Sequence, residues 1–173
     1  MMKAVPGYAT VFQSNDTIKF GVGLQNVTIV ALMMGGDRAM NLTGTQHLPN
    51  YSADNVFVIY GLMNPTLVVP KGTNLQILVI NLDESDYHNL DLTTTPPPYS
   101  YMPMMSSGGM MNNRGGISAL SMMPMLAPAN YDQETSYAYG YTLTVNNPGT
   151  LWYFCMYPGH AQTGMYGKIL VVG

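Results

Sequence analysis

The sequence predicts an all-β protein, a Greek-key β-sandwich or barrel, and three observations support this prediction. Short runs of β-branched and aromatic residues recur along the chain, between turns rich in Gly, Pro and Asn. Hydrophobic residues make up 47% of the sequence and charged residues only 9%, so the chain is too apolar for a disordered acidic protein. A length of 173 residues fits one domain, to which we assign residues 1–173.

The first half of the chain alternates strand-like runs with turns. An opening meander is followed by an irregular stretch over 33–50 and then by further strands. The predicted strands of this half cover 8–12, 17–22, 27–32, 56–60, 66–69 and 75–82. The last of these is the most continuous apolar run in this half, and we place it in the core of the sandwich.

The C-terminal part of the chain returns to strand patterns. The predicted strands cover 137–145, 151–154 and 168–172. The first of them alternates with a period of two, which places Tyr141, Leu143 and Val145 on one face. The whole pattern predicts about eight strands and no helix, with parallel and antiparallel pairing left open.

Residues 99–130 form a Met-, Pro- and Gly-rich insertion that breaks the strand pattern. Eight of the sixteen methionines lie between Met102 and Met125, interrupted by pairs of glycines. We interpret the segment as an insertion whose flexible methionines cover one side of the barrel and fill irregular gaps. Two other interpretations stay open: an apolar docking face for a redox partner, and a tract that collects Cu(I).

One run near the C-terminus carries the chemistry. It contains the single cysteine, Cys155, followed by His160 and Met165 with the spacing Cys-x4-His-x4-Met. This spacing does not place three side chains on one helical face, because five residues rotate a helix by about 140°. Pro158 and Gly159 indicate a turn instead. We therefore expect Cys155 to end a strand and the chain to fold back, so that His160 and Met165 return toward the sulfur.

Thiolate, imidazole and thioether form a soft set of metal ligands. Two histidines and a cysteine with a weak axial methionine are the ligands of a blue copper site. The second histidine must come from elsewhere, and His88 is the natural candidate because it follows the strand at 75–82. We interpret His47 as a surface residue, since no cysteine, carboxylate or second histidine is near it in the sequence.

These motifs resemble the cupredoxin family, and most closely the sulfocyanins, blue copper proteins of acid-loving archaea, with the rusticyanins as near relatives. The resemblance is carried by His88-Asn89, by the run 155–160 and by the run 161–167. It covers roughly 56–92 and 137–173. The resemblance implies the cupredoxin type of fold and a protein that transfers electrons and is not an enzyme.

The resemblance also implies a site and partners. One type 1 copper, cycling between Cu(II) and Cu(I), is expected on His88, Cys155, His160 and Met165. Asn89 is expected to brace the loops around it. His160 is expected at the surface amid an apolar patch, as the port for electrons, with Met104 and Met105 among the residues that extend the patch. The expected partners are redox proteins such as a respiratory complex or a terminal oxidase.

Charge and targeting signals bear on location. A net charge of −3 from nine acidic and six basic residues is too small and too mixed to suggest nucleic acid. Few carboxylates leave few ion pairs to lose on protonation, so we expect tolerance of low pH. The resemblance implies a place on the outer face of the cell membrane, held by an N-terminal anchor. Residues 1–7 show neither signal peptide nor anchor, so we expect the sequence as given to be soluble.

Other functions of a cysteine with histidines fit the sequence less well. A nucleophilic cysteine–histidine pair lacks a neighbouring base other than His160 that would lower the thiol pKa. Zinc would accept cysteine and histidine, but methionine is a poor fourth ligand. Attachment of haem through Cys-x-x-Cys-His is excluded by the single cysteine. The serious alternative is a copper-binding or delivery protein that uses the Met-rich segment for Cu(I).

Overall fold

Alternation of inward apolar and outward polar side chains builds two β-sheets that face each other. The computed structural model of the chain describes residues 4–103 and 120–173. Within these residues the strands are β1 (Ala9–Phe12), β2 (Thr17–Phe20), β3 (Asn26–Met34), β4 (Val56–Ile59), β5 (Leu62–Met63), β6 (Thr66–Pro70), β7 (Thr73–Asn81), β8 (Asp91–Thr93), β9 (Tyr137–Val145), β10 (Gly149–Phe154) and β11 (Tyr166–Val172). One α-helix, α1 (Gly36–Thr43), and a 3-10 turn at Gln13–Asn15 complete the elements of the described residues.

Both sheets are mixed. The first has the order β1-β2-β6-β11-β10-β8, and the second has the order β5-β4-β3-β7-β9. Three of the pairings, β2 with β6, β6 with β11 and β3 with β7, are parallel, and the others are antiparallel. The order of the strands therefore crosses the sequence order repeatedly, as a Greek-key sandwich requires.

The core lies between the sheets. On β7 the side chains of Leu75, Ile77 and Val79 are buried while Leu78 is exposed, so this strand presents one face inward. The prediction of a core strand at 75–82 is confirmed. On β9 the period-two prediction is also confirmed, because Leu143 and Val145 lie on its less exposed face.

The prediction of about eight strands and no helix was wrong. The described residues contain eleven strands and α1 within the stretch predicted to be irregular. The missed β5 and β8 have two and three residues, too few to show a period. The helix has only eight residues and begins with glycine. Gly36 is required there, because an added Cβ would lie 2.7 Å from the carbonyl oxygen of Asp54.

Packing stabilises this short helix, since eight residues are marginal on their own. Ala39 is buried with Leu32, Met34 and Val56 in a second cluster that includes residues of β3 and β4. The helix ends at Gly44, whose φ of 76° is left-handed and whose N–H donates to the carbonyl oxygen of Met40 at 2.9 Å. None of the helices described has the length and apolar character needed to cross a membrane.

Candidate metal centre

Three buried side chains meet at one end of the sandwich. The Nδ1 atoms of His88 and His160 lie 3.1 Å apart, and the sulfur of Cys155 lies 3.8 Å and 3.6 Å from them. Among the described residues these three form the cluster able to hold a metal ion. The point equidistant from the three atoms is about 2.0 Å from each, close to the usual length of bonds from imidazole nitrogen and thiolate sulfur to a metal. The donors are thus spaced for one ion.

The segment 155–165 folds back on itself as expected. The N–H of Cys155 donates to the carbonyl oxygen of Met165 at 3.1 Å, and the N–H of Met165 donates to that of His160 at 2.9 Å. The side chain of Met165 is fully buried in the same core cluster as Cys155. The loop therefore brings His160 to the sulfur and Met165 beside Cys155, while the role of Met165 as an axial ligand stays a prediction.

Gly164 allows the loop to close. Its φ of 103° lies in the left-handed region, and a Cβ at this position would overlap the backbone of Tyr51 and Ser52. Its carbonyl oxygen accepts a hydrogen bond of 3.0 Å from the side chain of Asn64. A larger residue at 164 would therefore separate the ligand loop from the neighbouring chain.

The segment that carries His88 is held by distant residues. The side-chain amide of Asn81, at the end of β7, lies within hydrogen-bond distance of the carbonyl oxygens of Asp86, Leu126 and Ala127. His88 exchanges backbone hydrogen bonds with Leu126 in both directions, at 3.2 and 2.8 Å. Leu126 and Ala127, near the end of the Met-rich insertion, thus fix the position of the first histidine.

Asn89 joins the two segments. Its Oδ1 accepts a hydrogen bond of 2.8 Å from the N–H of Met156, the residue after the cysteine. Its Nδ2 donates to Asp91 at 2.8 Å and contacts the carbonyl oxygen of Met123 at 3.3 Å. Asp91 is fully buried, and this burial raises the pKa of its carboxyl group. The side chain of Asn89 therefore connects the residues around the sulfur to those around His88.

The electrostatics of the three donors favour a bound cation. Burial raises the pKa of the Cys155 thiol to about 12, although the backbone N–H groups of Asn89 and Tyr157 donate to the sulfur and oppose this shift. Burial, together with the nearby His88, lowers the pKa of His160 to about 4. The imidazole is therefore available as a neutral ligand, and the thiol gives up its proton when positive charge arrives. The donor set fits a soft transition metal such as copper.

A carboxylate faces the outer nitrogen of each histidine. The Nε2 of His88 lies 3.5 Å from Oδ2 of Asp83, and the Nε2 of His160 lies 3.8 Å from Oδ2 of Asp86. The side chain of Asn55 contacts both Asp86 and His160 at 3.3 Å. None of these residues was predicted to take part in the site. The spacing Asp83-x-Ser85 was a signal for a side-chain-capped turn, whereas nothing in the sequence pointed to Asn55.

The surface around His160 differs from the apolar patch expected by resemblance. His160 is only 8% exposed, and its outer edge faces Asn55 and Asp86. The ring of Tyr157 lies 4.6 Å from its ring and stacks in turn on exposed Tyr87. Met104 and Met105 lie outside the described residues. His47 is exposed, as expected.

Comparison with known proteins gives the fold type. No protein-family model matches the sequence. Rusticyanins from Acidithiobacillus ferridurans and Acidithiobacillus ferrooxidans are 32% identical to it over 118 residues, which are 66% of this chain and 54% of each relative. The chain thus spans about half the length of these curated relatives. The solved structure of rusticyanin from Thiobacillus ferrooxidans has a TM-score of 0.66 at 26% identity, covering 95% of this chain and 88% of that one.

A second solved structure, of reduced rusticyanin, also has a TM-score of 0.66, at 25% identity, and covers 95% of this chain and 90% of that one. The sandwich and these solved structures show that the chain has the cupredoxin fold. The predicted fold class is confirmed. The relatives are rusticyanins, and the narrower resemblance to sulfocyanins stays a prediction.

Proposed function

We propose that this chain is a type 1 copper protein that carries single electrons between redox partners and catalyses no reaction. The convergence of His88, Cys155 and His160 around one buried point carries the proposal. The likeness to a solved structure described as the copper protein rusticyanin supports it.

The proposed ligands of one copper ion are His88, Cys155, His160 and Met165. Copper supplies reversible one-electron chemistry when bound. The two imidazoles present Nδ1 and the cysteine presents its sulfur from fixed positions, and the buried thioether of Met165 is the proposed weak axial ligand. A site that only transfers electrons benefits from ligands that do not move, because every rearrangement adds to the barrier.

Asn89 is the proposed brace of this site. Its hydrogen bonds to Met156 and Asp91 resist separation of the segments that bear the two histidines. The N–H groups of Asn89 and Tyr157 donate to the sulfur and stabilise its negative charge. Phe154 packs in a separate cluster with Tyr99 and Ala161, whereas the ring of Tyr157 lies 4.6 Å from that of His160.

His160 is the proposed route for electrons between the metal and the surface. Tyr157 covers its ring and stacks on Tyr87 with an interplanar angle of 9°. Tyr87 is 46% exposed, so these rings form a continuous aromatic connection from the site to solvent.

The proposed setting is the outer face of the cell membrane, with a respiratory complex or a terminal oxidase as partner, as in a sulfocyanin of an acid-loving organism. The motif resemblance supports this setting. Arg38 and Glu84 form the one Lys/Arg–carboxylate ion pair of the described residues, so protonation of carboxylates removes little pairing. We expect the copper-loaded protein to keep its circular dichroism spectrum between pH 2 and 4, and unfolding in that range would contradict this setting.

Copper delivery is the second candidate. The exposed side chains of Met102, Met122 and Met125 lie in the Met-rich segment, on both sides of residues 104–119. Thioethers are soft ligands that prefer Cu(I). Met123, by contrast, is buried, and its sulfur lies 3.4 Å from the N–H of Leu90. Met123 therefore packs in the hydrophobic core, which agrees with the interpretation that methionines of this segment fill gaps against the barrel.

A copper titration with redox cycling separates the two functions. An electron carrier binds one copper per chain and keeps it through repeated reduction and reoxidation. A delivery protein binds additional Cu(I) and loses it to a competing chelator. Substitution of Met102, Met122 and Met125 by leucine provides the control, because it leaves the proposed ligands intact. Additional Cu(I) that disappears in this variant would favour delivery.

A further inference from the structure

Each histidine of the site presents its outer nitrogen to a carboxylate from the same short loop, 83–86. The two contacts differ in their surroundings. Asp83 is 7% exposed at its side chain and faces fully buried His88, while Asp86 is 35% exposed and faces His160. Two carboxylates three positions apart in the sequence thus lie behind the two imidazoles.

The loop aims Asp83 at His88. One carboxylate oxygen, Oδ1, accepts hydrogen bonds from the N–H and the hydroxyl of Ser85 at 2.8 and 2.7 Å and from the N–H of Asp86 at 3.1 Å. The other oxygen is left to face His88. The Nε2 of His88 is buried and has no other partner among the described residues, and its 3.5 Å separation from Asp83 is at the limit of a hydrogen bond.

Asp86 is held in a comparable way. Its backbone carbonyl oxygen accepts a hydrogen bond of 2.9 Å from Asn81, and its carboxylate contacts the side-chain amide of Asn55 at 3.3 Å. The same amide lies 3.3 Å from the Nε2 of His160. The Nδ2 atom of Asn55 therefore lies between the carboxylate and the ring, whose direct separation of 3.8 Å leaves an electrostatic contact rather than a hydrogen bond.

We propose that Asp83 and Asp86 are positioning residues of the copper site: Asp83 keeps the proton of His88 on Nε2, and the negative charges of both carboxylates lower the reduction potential of the metal. The proposal rests on the proposed function. A proton on Nε2 leaves Nδ1 free to bind the metal. A negative charge behind a ligand favours the oxidised metal, because that state carries the larger positive charge.

Asp83 exerts the stronger effect, since its charge is buried and poorly screened by solvent. Three hydrogen bonds donated to its Oδ1 by Ser85 and Asp86 stabilise the negative charge of the carboxylate. Asp86 is more exposed, so solvent weakens its influence on His160.

The experiment compares three variants of the copper-loaded protein at one pH: Asp83→Asn, Asp86→Asn and Glu84→Gln. Each variant loses one negative charge from the same loop. Glu84 is the matched control, because its carboxylate is 62% exposed and faces Arg38 rather than a histidine. We expect the midpoint potential to rise most for Asp83→Asn, less for Asp86→Asn and least for Glu84→Gln. The visible spectrum of all three should stay that of the parent.

The proposal is overturned if the midpoint potential of Asp83→Asn shifts no more than that of Glu84→Gln. In that case a blue copper-loaded parent would still support the proposed function. If Asp83→Asn fails to fold, Asp86→Asn decides by the same comparison.

Proton NMR of the reduced parent adds a test without substitution: the Nε2 proton of His88 is expected far downfield because a carboxylate accepts it. A resonance at the position of a water-exposed imidazole would count against the role of Asp83. A copper-loaded parent without blue colour would remove the proposed function itself, and this inference with it.

Discussion

The two segments that form the metal centre differ in how the chain holds them. Residues 155–165 contain three proposed ligands within eleven positions and close through hydrogen bonds among Cys155, His160 and Met165. Residues 81–91 contain only His88 and depend on hydrogen bonds from residues 121–127 and 156. The first segment is encoded locally, whereas the second takes its shape only when remote parts of the chain have folded against it.

Because of this difference, the two segments should contribute differently to metal binding and to stability. Substitutions in 155–165 should act first on the metal, because the ligands themselves lie there. Substitution of Asn81, which anchors the other segment, should act first on the stability of the loop, because several buried groups lose this partner at once. Substitutions in the two segments therefore distinguish metal binding from support of the loop.

Removal of the cysteine sulfur should have the largest effect on the metal centre. Cys155→Ser should abolish the intense thiolate-to-copper absorption, because no other cysteine exists in the chain to replace it. Visible spectroscopy of the copper-loaded variant measures the effect. His47→Gln is the control, since this exposed histidine lies outside the site and its loss should leave the colour intact. An intense band that survives in Cys155→Ser would refute the ligand assignment.

Loss of the side chain that anchors the His88 segment should have the second largest effect. Asn81→Ala leaves three carbonyl oxygens and the N–H of Asp83 without this partner in a buried place. We expect the free energy of unfolding to fall by roughly 3 kcal/mol. Denaturant unfolding measures the change.

The matched substitution in the other segment is Thr163→Ala. Its exposed hydroxyl donates to backbone carbonyl oxygens within the loop, so the expected loss is about 0.5–1 kcal/mol. Equal losses in Asn81→Ala and Thr163→Ala would show that the two segments do not differ in the way they are supported.

A smaller effect is expected at the proposed axial ligand. Met165→Gln should lower the midpoint potential while the protein stays blue, because an amide oxygen is a harder ligand than a thioether and favours the oxidised metal. A redox titration followed at the thiolate-to-copper band measures it. A potential that stays the same or rises would argue against Met165 as the axial ligand.

The smallest effect should come from the aromatic surface. Tyr87→Leu should slow electron exchange with a small redox reagent without shifting the potential or the spectrum, since it removes the outer ring of the Tyr87–Tyr157–His160 connection. Stopped-flow kinetics measures the rate. Tyr139→Leu, at an exposed tyrosine on β9, is the control. Equal rates in the two variants would show that electrons reach the metal by another route.

The same contrast between local and remote support explains what the sequence could predict. The return of the chain from Cys155 to Met165 followed from spacing, glycines and proline within one short run. The core strand β7 and the inward face of β9 followed from residue periodicity. Each of these features depends on neighbours in the sequence.

Features that depend on distant contacts were missed. Asn55 contacts His160, which lies 105 positions further along the chain. Leu126, near the end of the Met-rich insertion, forms an antiparallel bridge with His88. Helix α1 was missed because a glycine start and eight residues leave no readable period. Asp83 and Asp86 were visible only as a polar turn, since their contacts with the two imidazoles arise from the loop's three-dimensional path.

The central claim is that two remote segments place two imidazoles and one thiolate on a single copper ion. Visible absorption and EPR spectra of the protein loaded with one equivalent of Cu(II) test it most directly. The account predicts an intense blue thiolate-to-copper band and the narrow copper hyperfine splitting of a type 1 site. A colourless protein with the wide splitting of an ordinary tetragonal Cu(II) complex would contradict it.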